Sequence, residues 1–102
     1  MHTASDRIAH AEWLNELETA ADRLDLGTEA RAVATDLFLS DVPDSARSKR
    51  AVLGACLYAG SLVAGDGRTQ GDVAKSVDVS RLAIQSRWKD QLESAGLQPP
   101  TW

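Results

Sequence analysis

"AVLGACLYAGSLVA", residues 51–64, runs for 14 positions without a charge, and its middle is apolar on every side of a helical projection. A bilayer span needs about 20 such residues, so the stretch reads as a core helix and not as a membrane segment. A helix without a polar face must be surrounded by other helices. That requirement decides the fold class: all-α, with this segment at the centre. Gly54, Ala55, Ala59 and Gly60 let neighbouring backbones approach, while Leu53, Cys56, Leu57, Ala59 and Leu62 supply core. Ser45 or Ser48 opens the helix, which runs to about Ala64, and "GDG" at 65–67 makes a turn. Cys56 lies inside the run. As the only cysteine it cannot form an internal disulfide, and it reads as a small buried hydrophobe.

Outward from this centre the rest of the chain also reads as helical, since nothing alternates with period two and the three prolines fall at boundaries. A first helix capped near Ser5 places Ile8, Leu14, Leu17, Ala21 and Leu24 on one stripe, and Gly27 is expected to close it in the left-handed conformation. Thr28 caps a second helix with Ala30, Val33, Ala34, Leu37 and Phe38 at helical spacing, ending before Pro43. Downstream, Thr69 caps a short fourth helix with Asp72 three residues on, the spacing of a capping box. Ser80 caps a fifth, which runs to Ala95 and is stopped by Gly96. Leu97 and Trp102, on either side of Pro99 and Pro100, are expected to lie back on the domain.

The 102 residues make one domain, 1–102, with ordinary hydrophobic (43%) and charged (25%) content. Charge is uneven: residues 1–44 hold ten acids against three bases, residues 45–102 eight bases against five acids. Arginine outnumbers lysine eight to three, a bias that suits solubility in strong salt. The N-terminus has neither a basic nor an apolar signal region, so a cytoplasmic location is expected. His2 and His10 have no nucleophile pattern beside them and no glycine-rich phosphate loop precedes a helix, which speaks against an enzyme. One cysteine and two histidines give no zinc spacing, so no metal and no cofactor are expected.

The stretch "RSKRAVLGACLYAGSLVAGDGRTQGDVAKSVDVSRLAIQSRWKDQL" resembles the second cyclin-like repeat of archaeal transcription factor B, the counterpart of eukaryotic transcription factor IIB. The likeness rests on Ser48, the run Ala55 to Ala59, Arg68-Thr69-Gln70, Val73-Ala74, Val79-Ser80, Ile84, Arg87 and Lys89. The upstream "LNELETAADRLDLGTEARAVATDLF" is similar to the repeat's first two helices. This resemblance implies a five-helix cyclin box with a central buried helix and a helix-turn-helix at about 69–95. It also implies promoter DNA and TATA-binding protein as partners. The cysteines of the family's zinc ribbon and the length for a second repeat are missing, so the chain is not expected to be a complete initiation factor.

In the family an apolar residue early in the reading helix and an arginine three positions later contact bases; the resemblance places Leu82 and Gln85 there. At 100° per residue Ile84, Trp88, Leu92 and Ala95 form the buried face. Leu82, Ser86, Lys89 and Glu93 lie nearly opposite, with Gln85 and Arg81 on the flanks. Leucine can touch a thymine methyl, and glutamine can pair with adenine where arginine would favour guanine. Thr69 and Gln70 stand at a helix N-terminus suited to phosphate, with Arg68, Lys75, Arg81 and Lys89 adding charge. The candidate DNA-contacting set is therefore Arg68, Thr69, Gln70, Ser80, Arg81, Leu82, Gln85, Ser86 and Lys89, and Arg87 is expected in a structural ion pair. Residues 67–92 nevertheless carry a net charge of only +2. Two functional readings follow. One is a small transcription regulator that binds promoter DNA, with TATA-binding protein, another transcription factor or a second copy of itself as partner. The other is a cyclin-box adaptor that binds protein and never touches DNA.

Overall fold

The computed structural model describes residues 8–97. Within them five helices follow one another: α1 Ala11–Arg23, α2 Thr28–Ser40, α3 Ala46–Val63, α4 Gln70–Val77 and α5 Arg81–Ser94. The uncharged run forms the body of α3, where residues 51–57 are buried without a break and the helix touches all four others. Leu53, Cys56, Leu57 and Ala59 are fully buried as expected; Leu62 is only half-buried. α2 crosses α3 at Gly60, where a Cβ would stand 2.9 Å from the Ala34 nitrogen and 3.0 Å from the Ala30 oxygen. Both neighbours are backbone atoms that cannot rotate away, so even alanine there would force the two helices apart. α5 runs parallel to α3, with Ile84 beside Gly54 and the Trp88 ring edge-on to Tyr58 at 5.3 Å. The result is the expected five-helix, cyclin-box-like arrangement with a C-terminal helix pair.

Helix starts follow the side-chain chemistry of the caps. Ser45 accepts from the Ser48 N–H, Thr69 from Asp72 and Ser80 from Ala83, each at 3.1 Å, which fixes Ser45 and not Ser48 as the start of α3. The first two helices differ from expectation. Regular helix begins at Ala11 after a break at His10, and Ile8 is 77% exposed instead of joining the core stripe. Ser5 lies outside the described residues, as does Trp102. Leu97 remains 41% exposed at the rim of a groove lined by Val33, Leu37, Val63 and Ala95.

Four of the five helix ends share one device, in which the residue two past the last full turn bonds back across a left-handed neighbour, while α2 ends at Asp41 without one. Leu26 N–H reaches Ala21 O at 3.0 Å, Asp66 reaches Ser61 at 2.8 Å, Val79 reaches Ala74 at 3.1 Å and Leu97 reaches Leu92 at 2.9 Å. Glycine fills the left-handed position at Gly65 and Gly96, where it avoids the Cβ penalty, but aspartate fills it at Asp25 (φ 54°) and Asp78 (φ 57°). Asp25, and not Gly27, therefore closes α1. Leu26 must turn into the core, where it is 4% exposed, so the reversal falls one residue before it. Gly27 is extended and stands as the N-cap of α2, its N–H on Asp66 Oδ2 at 3.0 Å; Thr28 is the first helical residue.

Candidate nucleic-acid interface

α4 and α5 are joined by Asp78 and Val79, with Ser80 as the cap of α5. This short connection follows from the sequence: Asp78 takes the left-handed conformation that stops α4, and Ser80 immediately opens the next helix. One side of α5 is anchored. Ile84 and Leu92 are fully buried and Trp88 is 7% exposed. The opposite side is open: Leu82 is 73% exposed, and Gln85, Ser86, Lys89 and Glu93 are exposed along the same helix. An exposed leucine between polar side chains provides an apolar contact flanked by hydrogen-bonding groups.

Ser80, Arg81, Leu82, Gln85, Ser86 and Lys89 thus share α5 and are all exposed. The Ser80 hydroxyl caps its helix, the Ser86 hydroxyl donates to Ala83 O at 3.2 Å, and the Lys89 ammonium lies 5.6 Å from the Trp88 ring centroid. Thr69 and Gln70 stand at the other end of the pair, where the first N–H groups of α4 lack intrahelical acceptors. Asp72 sits in that same first turn and offsets the positive end. Arg87 is exposed, and among the described residues no ion pair involves it, so the expected structural pairing is absent.

Arg68 is oriented differently from the rest of the set. Its guanidinium turns inward and donates to Leu24 O at 2.9 Å, Asp25 O at 3.1 Å, Asp66 O at 3.0 Å and Asp66 Oδ1 at 2.8 Å. It ties the loop before α4 to the loop before α2. Asp66 completes the tie through Gly27, and its carboxyl is held below the usual carboxylate range by the Gly27 N–H and then by Arg68. Arg31 spans the same corner, with its Nη1 2.6 Å from Asp22 Oδ1 and its Nε donating to Leu26 O at 2.8 Å; the Asp22 bond raises the pKa of its guanidinium.

Sequence reasoning missed three residues behind this face. Gln91 is 5% exposed and donates to Leu37 O at 3.2 Å and to Cys56 Sγ at 3.5 Å, joining α5 to α2 and α3. Burial pushes the Cys56 thiol up, which leaves it protonated and unreactive. Arg23 and Arg50 reach the carbonyls at the end of α4, Ser76 O at 2.9 Å and Val77 O at 3.3 Å. A helical projection could have found Gln91, one turn from Trp88 and beside Leu92. Bonds to backbone carbonyls carry no signature in the partner's residue type. Among the described residues no cluster of His, Cys, Asp and Glu could hold a metal, and no helix is long and apolar enough to cross a membrane.

Comparison with known proteins adds to this geometry. The family model of the transcription factor TFIIB repeat matches residues 14–94, from the first turn of α1 to the end of α5. The transcription initiation factor IIB of Pyrococcus abyssi is 30% identical over 83 residues, covering 78% of this chain and 28% of that protein, and that of Pyrococcus horikoshii matches to the same extent. The protein of the same name from Haloarcula vallismortis is 28% identical over 80 residues, covering 76% of this chain and 70% of that sequence. The chain thus spans 28% of the length of its Pyrococcus relatives. No solved structure matches it significantly.

Proposed function

The chain belongs to the transcription factor TFIIB repeat family, and from that premise we propose that it is a small transcription regulator that contacts promoter DNA through α4 and α5. In this reading it corresponds to the second cyclin-like repeat. Leu82 and Gln85 face base edges. Arg81 and Lys89, with Ser80, Ser86, Thr69 and Gln70, lie along the phosphates. Arg68 serves the same face from behind by holding the loop that leads into Thr69. TATA-binding protein, another transcription factor or a second copy of the chain is its partner in this reading. The cytoplasm is its place of work. The observation that carries the reading is the two-sided character of α5: one side is fully buried, and the other presents Leu82 at 73% exposure beside polar side chains.

Retention of the protein on duplex DNA over a series of salt concentrations tests it. Phosphate contacts release counterions, so log affinity should fall linearly with log salt. No retention at any salt concentration would remove the reading. The adaptor reading gains from one observation, the groove of Val33, Leu37, Val63, Ala95 and Leu97, edged by Asp36 and Ser40, which lies at the opposite end of α5 from Leu82. A protein that ignores DNA yet binds a transcription factor would favour it.

A further inference from the structure

Two arginines from other helices donate to carbonyls at the end of α4, and a third, Arg68, braces the loop before it. α4 has only eight residues, too short to be stable without tertiary support, and its last carbonyls have no acceptor role inside the helix. Arg68 holds its approach. At its far end Arg23, from α1, donates to Ser76 O at 2.9 Å, and Arg50, from α3, donates to Val77 O at 3.3 Å. Arg50 is itself bracketed, with Nη1 3.7 Å from Glu16 Oε2 and the guanidinium 5.4 Å from the Trp13 ring centroid. Only Asp78 and Val79 separate these anchored carbonyls from the cap of α5. Few torsions therefore intervene between the two arginines and the reading face. Cations at a helix C-terminus also complement its dipole, but a lysine would do that equally well. A planar guanidinium adds direction, because its donors lie in a fixed fork.

We propose that Arg23 and Arg50 are positioning residues for recognition: by holding the Ser76 and Val77 carbonyls they set the angle at which α5 presents Leu82 and Gln85. This rests on the DNA reading of α5. Base contacts demand side chains held to within about 0.5 Å, so release of α4 should blur discrimination while leaving general attraction intact.

The test compares the parent with Arg23→Met, Arg50→Met and Arg50→Lys. Each is measured against a duplex that the parent enriches from a random-sequence library and against a scrambled duplex, well below the melting temperature. Each methionine variant should lose selectivity on the order of tenfold, the discrimination that one misaligned bidentate contact represents. Affinity for the scrambled duplex and the salt slope should stay at parental values, and Arg50→Lys should fall between parent and Arg50→Met. Unchanged selectivity in folded variants would overturn the proposal, since the arginines would then be structural only. Equal loss on both duplexes with a flatter salt slope would overturn it as well, because they would be touching phosphate. If the parent binds no duplex, the DNA reading fails and positioning is read directly by hydrogen exchange. Faster exchange confined to the last turn of α4 and the connection into α5, residues 74–84, supports it, whereas a uniform change or none sinks it.

Discussion

Two groups of cations in this chain look alike in sequence and differ in structure. Arg31 and Arg68 brace the corner where the α1–α2 and α3–α4 connections meet, Arg23 and Arg50 reach the end of α4, and every one donates to a main-chain carbonyl. Arg81, Arg87 and Lys89 line α5, and among the described residues none of them has a carboxylate partner. The difference teaches that the field of the helix pair cannot be read from its residue count. Arg68 contributes to the net charge of residues 67–92, yet its guanidinium is committed inward. The framework role bears on the arginine bias at two positions, Arg31 and Arg68, which donate from several guanidinium nitrogens at once in the fixed planar fork that a lysine lacks.

The largest effect expected from this contrast is on stability. Arg68→Ala would leave the Leu24 and Asp25 carbonyls without a donor and remove the partner of Asp66. Charge-assisted bonds to partly buried groups suggest a loss of about 2–3 kcal/mol. In a domain of this size each kilocalorie lowers the melting temperature by about 4–8 °C. A thermal melt of Arg68→Ala that overlays the parent's would break the distinction between the two groups.

Next comes recognition on the open side. Gln85→Ala should weaken binding to the preferred duplex by about 1–3 kcal/mol and leave scrambled duplexes nearly unaffected, as removal of a bidentate base contact does. Gln85→Arg should move preference from adenine toward guanine at one position. Titrations of both duplexes decide this. Equal weakening on both would place Gln85 on the backbone and not on a base.

How much of this was legible follows from what each feature asks of its residues. The burial of α3 was readable because an uncharged run of that length has one stable environment, and the caps Thr69 and Ser80 were readable because the capping oxygen belongs to the named residue, whereas Ser45 and Ser48 offer the same oxygen and only the structure chooses Ser45. Asp25 was not readable, since the nearby Gly27 is the better guess for a left-handed position and tertiary packing of Leu26 overrode it, and Asp78 was not, since an aspartate carries no mark that it will take that conformation. Gln91 was hidden by its polarity, although its partners lie on other helices at the correct spacing. The outward strip of α5 came from helical geometry alone. The inward turn of Arg68 depends on carbonyls more than forty positions away, which no local pattern encodes.

A smaller effect concerns acid. The Asp66 carboxyl has a folded-state pKa depressed by the Gly27 N–H and by Arg68, so its contribution to stability is present above the unfolded value of about 4 and is lost as pH falls through the lower folded value. Asp66→Asn can still accept from Gly27 but no longer titrates. Its stability should therefore decline less steeply below about pH 4 than the parent's, as urea titrations across that range would show. Parallel acid limbs would mean that the clamp draws nothing from this charge.

The smallest stability effect belongs to the exposed group, and it sharpens the comparison most. Arg81→Ala and Lys89→Ala remove side chains that no carboxylate holds, and surface changes of this kind fall within about ±0.5 kcal/mol. Their melting curves should match the parent's. On DNA the same variants should weaken binding to all duplexes alike and reduce the salt slope by about one unit each, the signature of one lost phosphate contact. Arg87→Ala is the internal control for the face: Arg87 shares the exposure but projects about 140° around the helix from Leu82, away from the strip that holds Gln85 and Lys89. A slope that drops for Lys89→Ala but not for Arg87→Ala would locate the DNA on the Leu82 side of α5. Equal drops would mean a diffuse attraction with no defined face. No drop in either, from a parent that binds, would place the phosphates on α4 instead.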